Sequence, residues 1–120
     1  MKFFLDTFAL VEIAEESPSY GKYLDSDAIT LKENLVELYY IILRKYGQGE
    51  ADRALVSFSG IAMDLPLSII AKAMLFRSSY KQRHFSYIDC LSYFYALENK
   101  RIFLTGDRAF QGLESVEIVR

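Results

Sequence analysis

Two runs of consecutive apolar residues constrain this chain more than anything else in it. Phe3-Phe4-Leu5 stands near one end and Ile102-Phe103-Leu104 near the other, and each gives way to an acid, Asp6 and Asp107, within three residues. A strand that lacks polar alternation has to be buried on both faces, the usual situation of parallel strands between two layers of helices. Helical periodicity fills the interval. Leu35, Leu38, Ile42, Leu43 and Tyr46 recur at helical spacing from Lys32 to Tyr46, with Gly47 as the C-cap. Ser86 is an N-cap for a second helix reaching Glu98, with Ile88, Leu91, Phe94, Tyr95 and Leu97 as its apolar residues.

The remaining segments fit the same alternation. Phe8 to Glu16 predicts a helix stopped by Ser17-Pro18, since proline disfavours helical geometry in the residue before it. Tyr20 to Asp25 predicts a helical turn, Ala28 to Thr30 a short strand, and Glu50 to Phe58 a helix. Ile61 to Leu65 predicts a strand leading into Pro66, which opens a helix expected to run to Arg83. Val116 to Val119 predicts a last strand. The expected architecture is a single α/β domain over residues 1–120, with a mainly parallel central sheet in a three-layer α/β/α arrangement made by right-handed crossovers.

At 120 residues and 52% hydrophobic content a core can form without staples. The lone Cys90 excludes an intrachain disulfide and reads as a small core residue in a reducing compartment. No apolar stretch approaches the ~20 residues of a membrane span, and Asp6 and Glu12 interrupt any signal-peptide core. The expectation is a cytoplasmic protein with no membrane association. A net charge of -2 supplies no global attraction for nucleic acid, although local patches rather than totals bind phosphate.

Four acids stand in apolar surroundings. Asp6 is the only charged residue between Lys2 and Glu12, Glu37 the only one from Leu35 to Leu43, and Asp89 the only one from Phe85 to Leu97; Asp107 ends its strand as Asp6 does. Each has a local explanation. Asp6 can cap the following helix, Glu37 can close a capping box begun by Asn34, and Asp89 can do so with Ser86. Taken together they point to a shared cause. If the two apolar strands are neighbours, Asp6 and Asp107 emerge side by side at the carboxyl edge of the sheet, where ligands bind in open α/β folds, and the helices carrying Glu37 and Asp89 can face the same crevice. Unit charges 4 Å apart repel by roughly 4 kcal/mol at an effective dielectric of 20. Arg108 is the one nearby cation in the sequence. Carboxylate ligands without imidazole or thiolate suit Mg²⁺ or Mn²⁺, and such an ion supports hydrolysis of a phosphodiester.

The segments Phe4-Leu5-Asp6-Thr7, Asn34-Leu35-Val36-Glu37-Leu38-Tyr39-Tyr40, Tyr87-Ile88-Asp89-Cys90-Leu91 and Leu104-Thr105-Gly106-Asp107-Arg108-Ala109-Phe110, in this order, resemble a PIN domain, and in particular the small single-domain PIN proteins that include VapC toxins. The resemblance covers nearly the whole chain. It implies a parallel sheet with the first and fourth strands adjacent, Mg²⁺ or Mn²⁺ held by Asp6, Glu37, Asp89 and Asp107, and cleavage of single-stranded RNA. It also implies that Thr7 and Thr105 orient carboxylates or a metal-bound water, and that the protein forms a homodimer and meets an antitoxin partner. One residue departs from the pattern: Phe8 follows the Asp-Thr pair where family members commonly have asparagine.

Other signals are weaker. Arg77, Lys81 and Arg83 read as a solvated basic face, Arg108 as a phosphate contact, the tyrosines as core residues with satisfied hydroxyls, and His84 as a surface residue. A phosphatase with Asp6 as nucleophile is a rival, but its pattern needs an acid where Phe8 stands. A catalytically inactive PIN-like scaffold that binds RNA or a partner protein is the non-enzymatic alternative.

Overall fold

Strand β1 (Phe3–Leu5) lies at the centre of the sheet and receives partners on both edges. The computed structural model describes residues 2–24 and 27–120. On one edge β1 pairs in parallel with β4 (Ile102–Thr105), which pairs in parallel with β5 (Val116–Ile118). On the other, Ile29 bridges Phe4 through the bonds Leu5 N–H to Ile29 O at 2.8 Å and Ile29 N–H to Phe3 O at 3.2 Å. That bridge leads into β2 (Thr30–Leu31), itself parallel to β3 (Ala62–Met63). Among the described residues every pairing is parallel, and the spatial order is β3-β2-β1-β4-β5.

Helices cover both faces, as two-sided burial of apolar strands requires. Phe4 and Phe103 point into a core shared with α4 (Leu67–Ser79) and α5 (Tyr87–Glu98), with Ile69, Ala73, Tyr93 and Ala96. Their neighbours Leu5 and Leu104 point the other way, toward α1 (Thr7–Ala14), α2 (Lys32–Tyr46) and α3 (Gln48–Phe58). This alternation assigns the apolar residues of one strand to two cores. The side chains of Phe4, Leu5, Phe103 and Leu104 are fully buried, each contributing about 1.5–3 kcal/mol by removal from water.

The helix expected to run from Pro66 to Arg83 is broken. α4 ends at Ser79, Tyr80 leaves helical geometry, and a 3₁₀ turn over Lys81–Arg83 is closed by His84 at a φ of 58°. Tertiary contacts impose the break. Arg77 Nε donates to Phe85 O at 2.9 Å, and Arg83 Nη1 donates to Ala109 O at 3.0 Å and Gln111 O at 3.1 Å, so this corner is tied to the segment after Asp107. Arg83 is therefore a structural tether rather than part of a solvated face. α1 also stops early, at Ala14, because Glu16 takes a left-handed φ of 59°. The turn expected over Tyr20 to Asp25 is a 3₁₀ turn over Gly21–Tyr23, and Asp25 lies outside the described residues.

Candidate active site

The register Leu5 to Leu104 sets the site. With these residues paired, Asp6 leaves β1 beside Thr105, and its N–H still reaches Leu104 O at 3.3 Å. Asp6 is 5% exposed, and its Oδ1 caps α1 by accepting from Ala9 N–H at 2.9 Å. Asp107 repeats the device one strand away, its Oδ1 accepting from Ala109 N–H at 2.9 Å. Asp89 closes a capping box at the start of α5: Asp89 Oδ2 accepts from Ser86 N–H at 2.9 Å, and Ser86 Oγ accepts from Asp89 N–H at 3.0 Å. The cap readings of Asp6 and Asp89 thus hold in geometry, and Asp107 adds a third cap of the same kind.

Glu37 is different. Its Oε1 accepts a short bond, 2.6 Å, from the Thr7 hydroxyl, and the capping box expected with Asn34 does not form because α2 starts at Lys32 and places Asn34 inside its first turn. Asn34 instead accepts from Leu31 N–H at 3.3 Å.

Asp6, Thr7, Asp89 and Asp107 line one cleft of about 340 Å³, together with Phe8, Glu12, Glu15 and Lys45. Glu37 joins it through Thr7. Electrostatics express the crowding. Burial pushes Asp6 up to about 7, against the bonds from Thr105 and Ala9 and with the charges of Asp89 and Asp107 adding to the rise. Burial also raises Asp89, opposed by the Ser86 bonds and reinforced by Asp107. Glu37 is raised by burial, opposed by the Thr7 bond, and raised further by Asp89. Asp6, Glu37 and Asp89 each feel the charge of at least one neighbouring aspartate.

The cation in the cleft is Lys45, which sequence reading missed, and it is paired with Glu15 at 3.0 Å. Arg108 is exposed and is not among the residues lining the cleft. Both threonines touch acids. Besides the Thr7 bond to Glu37, Thr105 Oγ1 accepts from Asp107 N–H at 2.9 Å and stabilises the charged form of Asp6, so one hydroxyl serves two aspartates.

A buried relay was also missed. Ser92 Oγ donates to Asn34 Oδ1 at 3.0 Å, Asn34 Nδ2 donates to Thr7 Oγ1 at 3.1 Å, and Thr7 donates onward to Glu37. Asn34 and Ser92 are almost wholly enclosed. The only available signal was a polar residue on the apolar face of each helix. The relay places a carboxamide against Thr7 from α2, whereas position 8 holds a phenylalanine that is 41% exposed. The Phe8 ring lies over Gly106, where a Cβ would fall 2.2 Å from its Cε1; the absence of a side chain at 106 makes room for the ring.

The donor set fits a hard divalent cation: four carboxylates and two hydroxyls, with no thiolate or imidazole among them. As the side chains stand, no three acids, histidines or cysteines among the described residues are close enough to hold one ion together. The aspartates lean instead on the N–H groups of their own elements.

A parallel α/β/α fold with acids gathered at the carboxyl edge of its central strands defines the class of protein. The chain belongs to the PIN domain family, whose model matches residues 3–115. Solved structures share the fold. A sarcin-ricin loop cleaving toxin, VapC20 of Mycobacterium tuberculosis, superposes with a TM-score of 0.84 at 15% identity, covering 99% of this chain and 100% of that one. A toxin-antitoxin complex from Klebsiella pneumoniae gives 0.77 at 15% identity, covering 97% and 96%. VapBC2 from Rickettsia felis, bound to a DNA fragment from its promoter, gives 0.77 at 17% identity over 100% of both chains. Comparison with curated protein sequences finds no match.

Proposed function

We propose that this chain is a divalent-cation-dependent endoribonuclease of the VapC toxin type, acting in the cytoplasm on RNA. The observation that carries the reading is a cleft lined by Asp6, Asp89 and Asp107, with Glu37 bonded to Thr7 of the same wall and Lys45, its one cation among the described residues, already paired with Glu15. Asp6, Glu37, Asp89 and Asp107 would hold Mg²⁺ or Mn²⁺. When bound, the ion supplies a water of lowered pKa and stabilises charge at the phosphate. The chain's own residues would orient these ligands: Thr7 bonds Glu37, Thr105 meets Asp6 and Asp107, and the capping box holds Asp89. Arg108, next to Asp107 and exposed, is assigned a contact to substrate phosphate.

The partners in this reading are a second copy of the chain and an antitoxin. Support for the latter is the presence of toxin-antitoxin complexes among the structural relatives, and an apolar groove of about 560 Å³ lined by Leu35, Val36, Tyr39, Leu55 and Ala62. The competing reading, a scaffold without metal, draws on the present separation of the carboxylates.

Two measurements decide. Single-stranded RNA incubated with the protein and Mn²⁺ should be cut internally, and Asp89→Asn should reduce the rate by at least 10²-fold, the scale of a lost metal-site group. Calorimetric titration with Mn²⁺ should give a saturable heat that the same substitution removes. Absence of both cleavage and heat in the unaltered protein would establish the scaffold.

A further inference from the structure

A second cavity adjoins the acidic cleft through Asp89. It measures about 550 Å³ and lies between the end of α4, the Lys81–Arg83 turn and the start of α5, with Arg77, Tyr80, Lys81, His84, Ser86 and Asp89 on its walls. Its charge is the reverse of its neighbour's. Among the described residues, Arg77, Lys81 and His84 form no ion pair, whereas Lys32, Lys45, Arg53 and Lys72 each pair with a carboxylate. Arg77 is preorganised: Nε holds Phe85 O at 2.9 Å, and the guanidinium lies 4.5 Å from the Tyr87 ring centroid. His84 is held in a left-handed conformation at φ 58°, which for a residue with a side chain costs energy that the packed corner must supply. The acidic cleft, in contrast, is walled by Glu12 and Glu15 with Lys45 as the single base, a net negative flank.

We propose that this basic cavity seats a backbone phosphate of a single-stranded RNA on one side of the cleavage point, so that the protein grips its substrate asymmetrically. The proposal rests on the nuclease reading and extends it. A phosphodiester chain that passes the acids and Arg108 meets the unpaired Arg77 and Lys81 in one direction and the carboxylates of Glu12 and Glu15 in the other, so the flanking phosphate contacts favour the Asp89 side. Lys81 supplies an adaptable point charge and Arg77 a fixed planar donor set. His84 adds a ring N–H.

The test uses the whole chain and a fluorescein-labelled oligouridylate dodecamer, with binding followed by anisotropy in EDTA at several salt concentrations. Lys81→Ala and His84→Ala should each weaken binding severalfold, and Lys81→Ala should lower the slope of log affinity against log salt by about 0.7, the loss of one phosphate contact on a single strand. Lys72→Ala, whose lysine is paired with Glu98, should bind as the unaltered chain does. Lys81 and His84 are exposed, so circular dichroism should show both variants folded. A neutral methylphosphonate linkage placed in turn on each side of a mapped cut should impair binding on one side only, and that penalty should vanish in Lys81→Ala. Unchanged salt slopes, or equal penalties on both sides, overturn the proposal. Absence of both cleavage and Mn²⁺ heat in the unaltered chain would instead overturn the nuclease reading, while the salt slopes would still judge the cavity.

Discussion

A single carboxyl group shows how a cap and a candidate ligand coexist. Asp6 is placed by its bond to Ala9 as an ordinary N-cap, yet burial and two neighbouring acids carry it from 3.8 to about 7. The folded protein therefore holds a proton that the unfolded chain has released between those values. Folding stability in the absence of metal should fall as pH rises from about 4 to 7, and the penalty is fully present above that window. The gap corresponds to a cost on the order of 4 kcal/mol, an upper bound because side chains relax. Asparagine caps as well as aspartate and carries no charge. Asp6→Asn should consequently be more stable than the unaltered chain at pH 8 in EDTA, with the difference shrinking toward pH 4. Urea denaturation at the two pH values measures it, and a variant less stable at pH 8 would mean that the charge of Asp6 is needed by the fold.

At the scale of elements, the site is held by contacts between helices distant in sequence. Asn34 on α2 accepts from Ser92 on α5 and donates to Thr7 on α1, so three helices meet on one carboxamide. Its replacement by leucine takes the acceptor from the Ser92 hydroxyl and the Leu31 N–H, and takes from Thr7 Oγ1 the donor opposite Glu37. Each such loss costs about 1–3 kcal/mol. Asn34→Leu should lower stability by roughly 2–4 kcal/mol. It should also weaken Mn²⁺ binding, because Thr7 no longer has a fixed orientation from which to hold Glu37. Ser92→Ala removes one bond and spares the Thr7 contact, so it should destabilise less and leave Mn²⁺ affinity near that of the unaltered chain. Equal effects on Mn²⁺ from both variants would show that the relay is packing alone. The break at Tyr80 belongs to this scale too, since α4 stops where Arg83 reaches Ala109 and Gln111.

For the molecule as a whole, folding does electrostatic work: it brings together acids that the unfolded chain keeps apart. A ligand that binds only the gathered acids returns part of that cost. Mn²⁺ at about a hundred times its dissociation constant should add about 2.7 kcal/mol to stability, a rise in Tm on the order of 10 °C for a domain of this size. Differential scanning calorimetry should record that rise for the unaltered chain and none for an Asp6→Asn, Asp89→Asn double variant. Ca²⁺ producing the same rise through the double variant would place the ion elsewhere.

Periodicity and capping are properties of a few consecutive residues, and for that reason they were legible along the chain. The alternation of Phe4 with Leu5, the 15-residue α2 closed by Gly47, and the box from Ser86 to Asp89 all follow from neighbours in sequence. The four acids could be picked out because a charge inside an apolar run is unusual wherever it folds. Hydrogen bonds between distant residues carry no such local mark. That Asn34 would meet Ser92, that Glu37 would be held by Thr7 and not by its own helix, that Lys45 and not Arg108 would line the cleft, and that the bases Arg77 and Lys81 would share a cavity with Asp89 were all decided by how the strands stack and which helices they press together. Sequence by itself determined the elements and the unusual acids, because those depend on short-range sterics and hydrophobic spacing. Tertiary structure alone determined the surroundings of each acid, because burial, partner and field are set by residues tens of positions away.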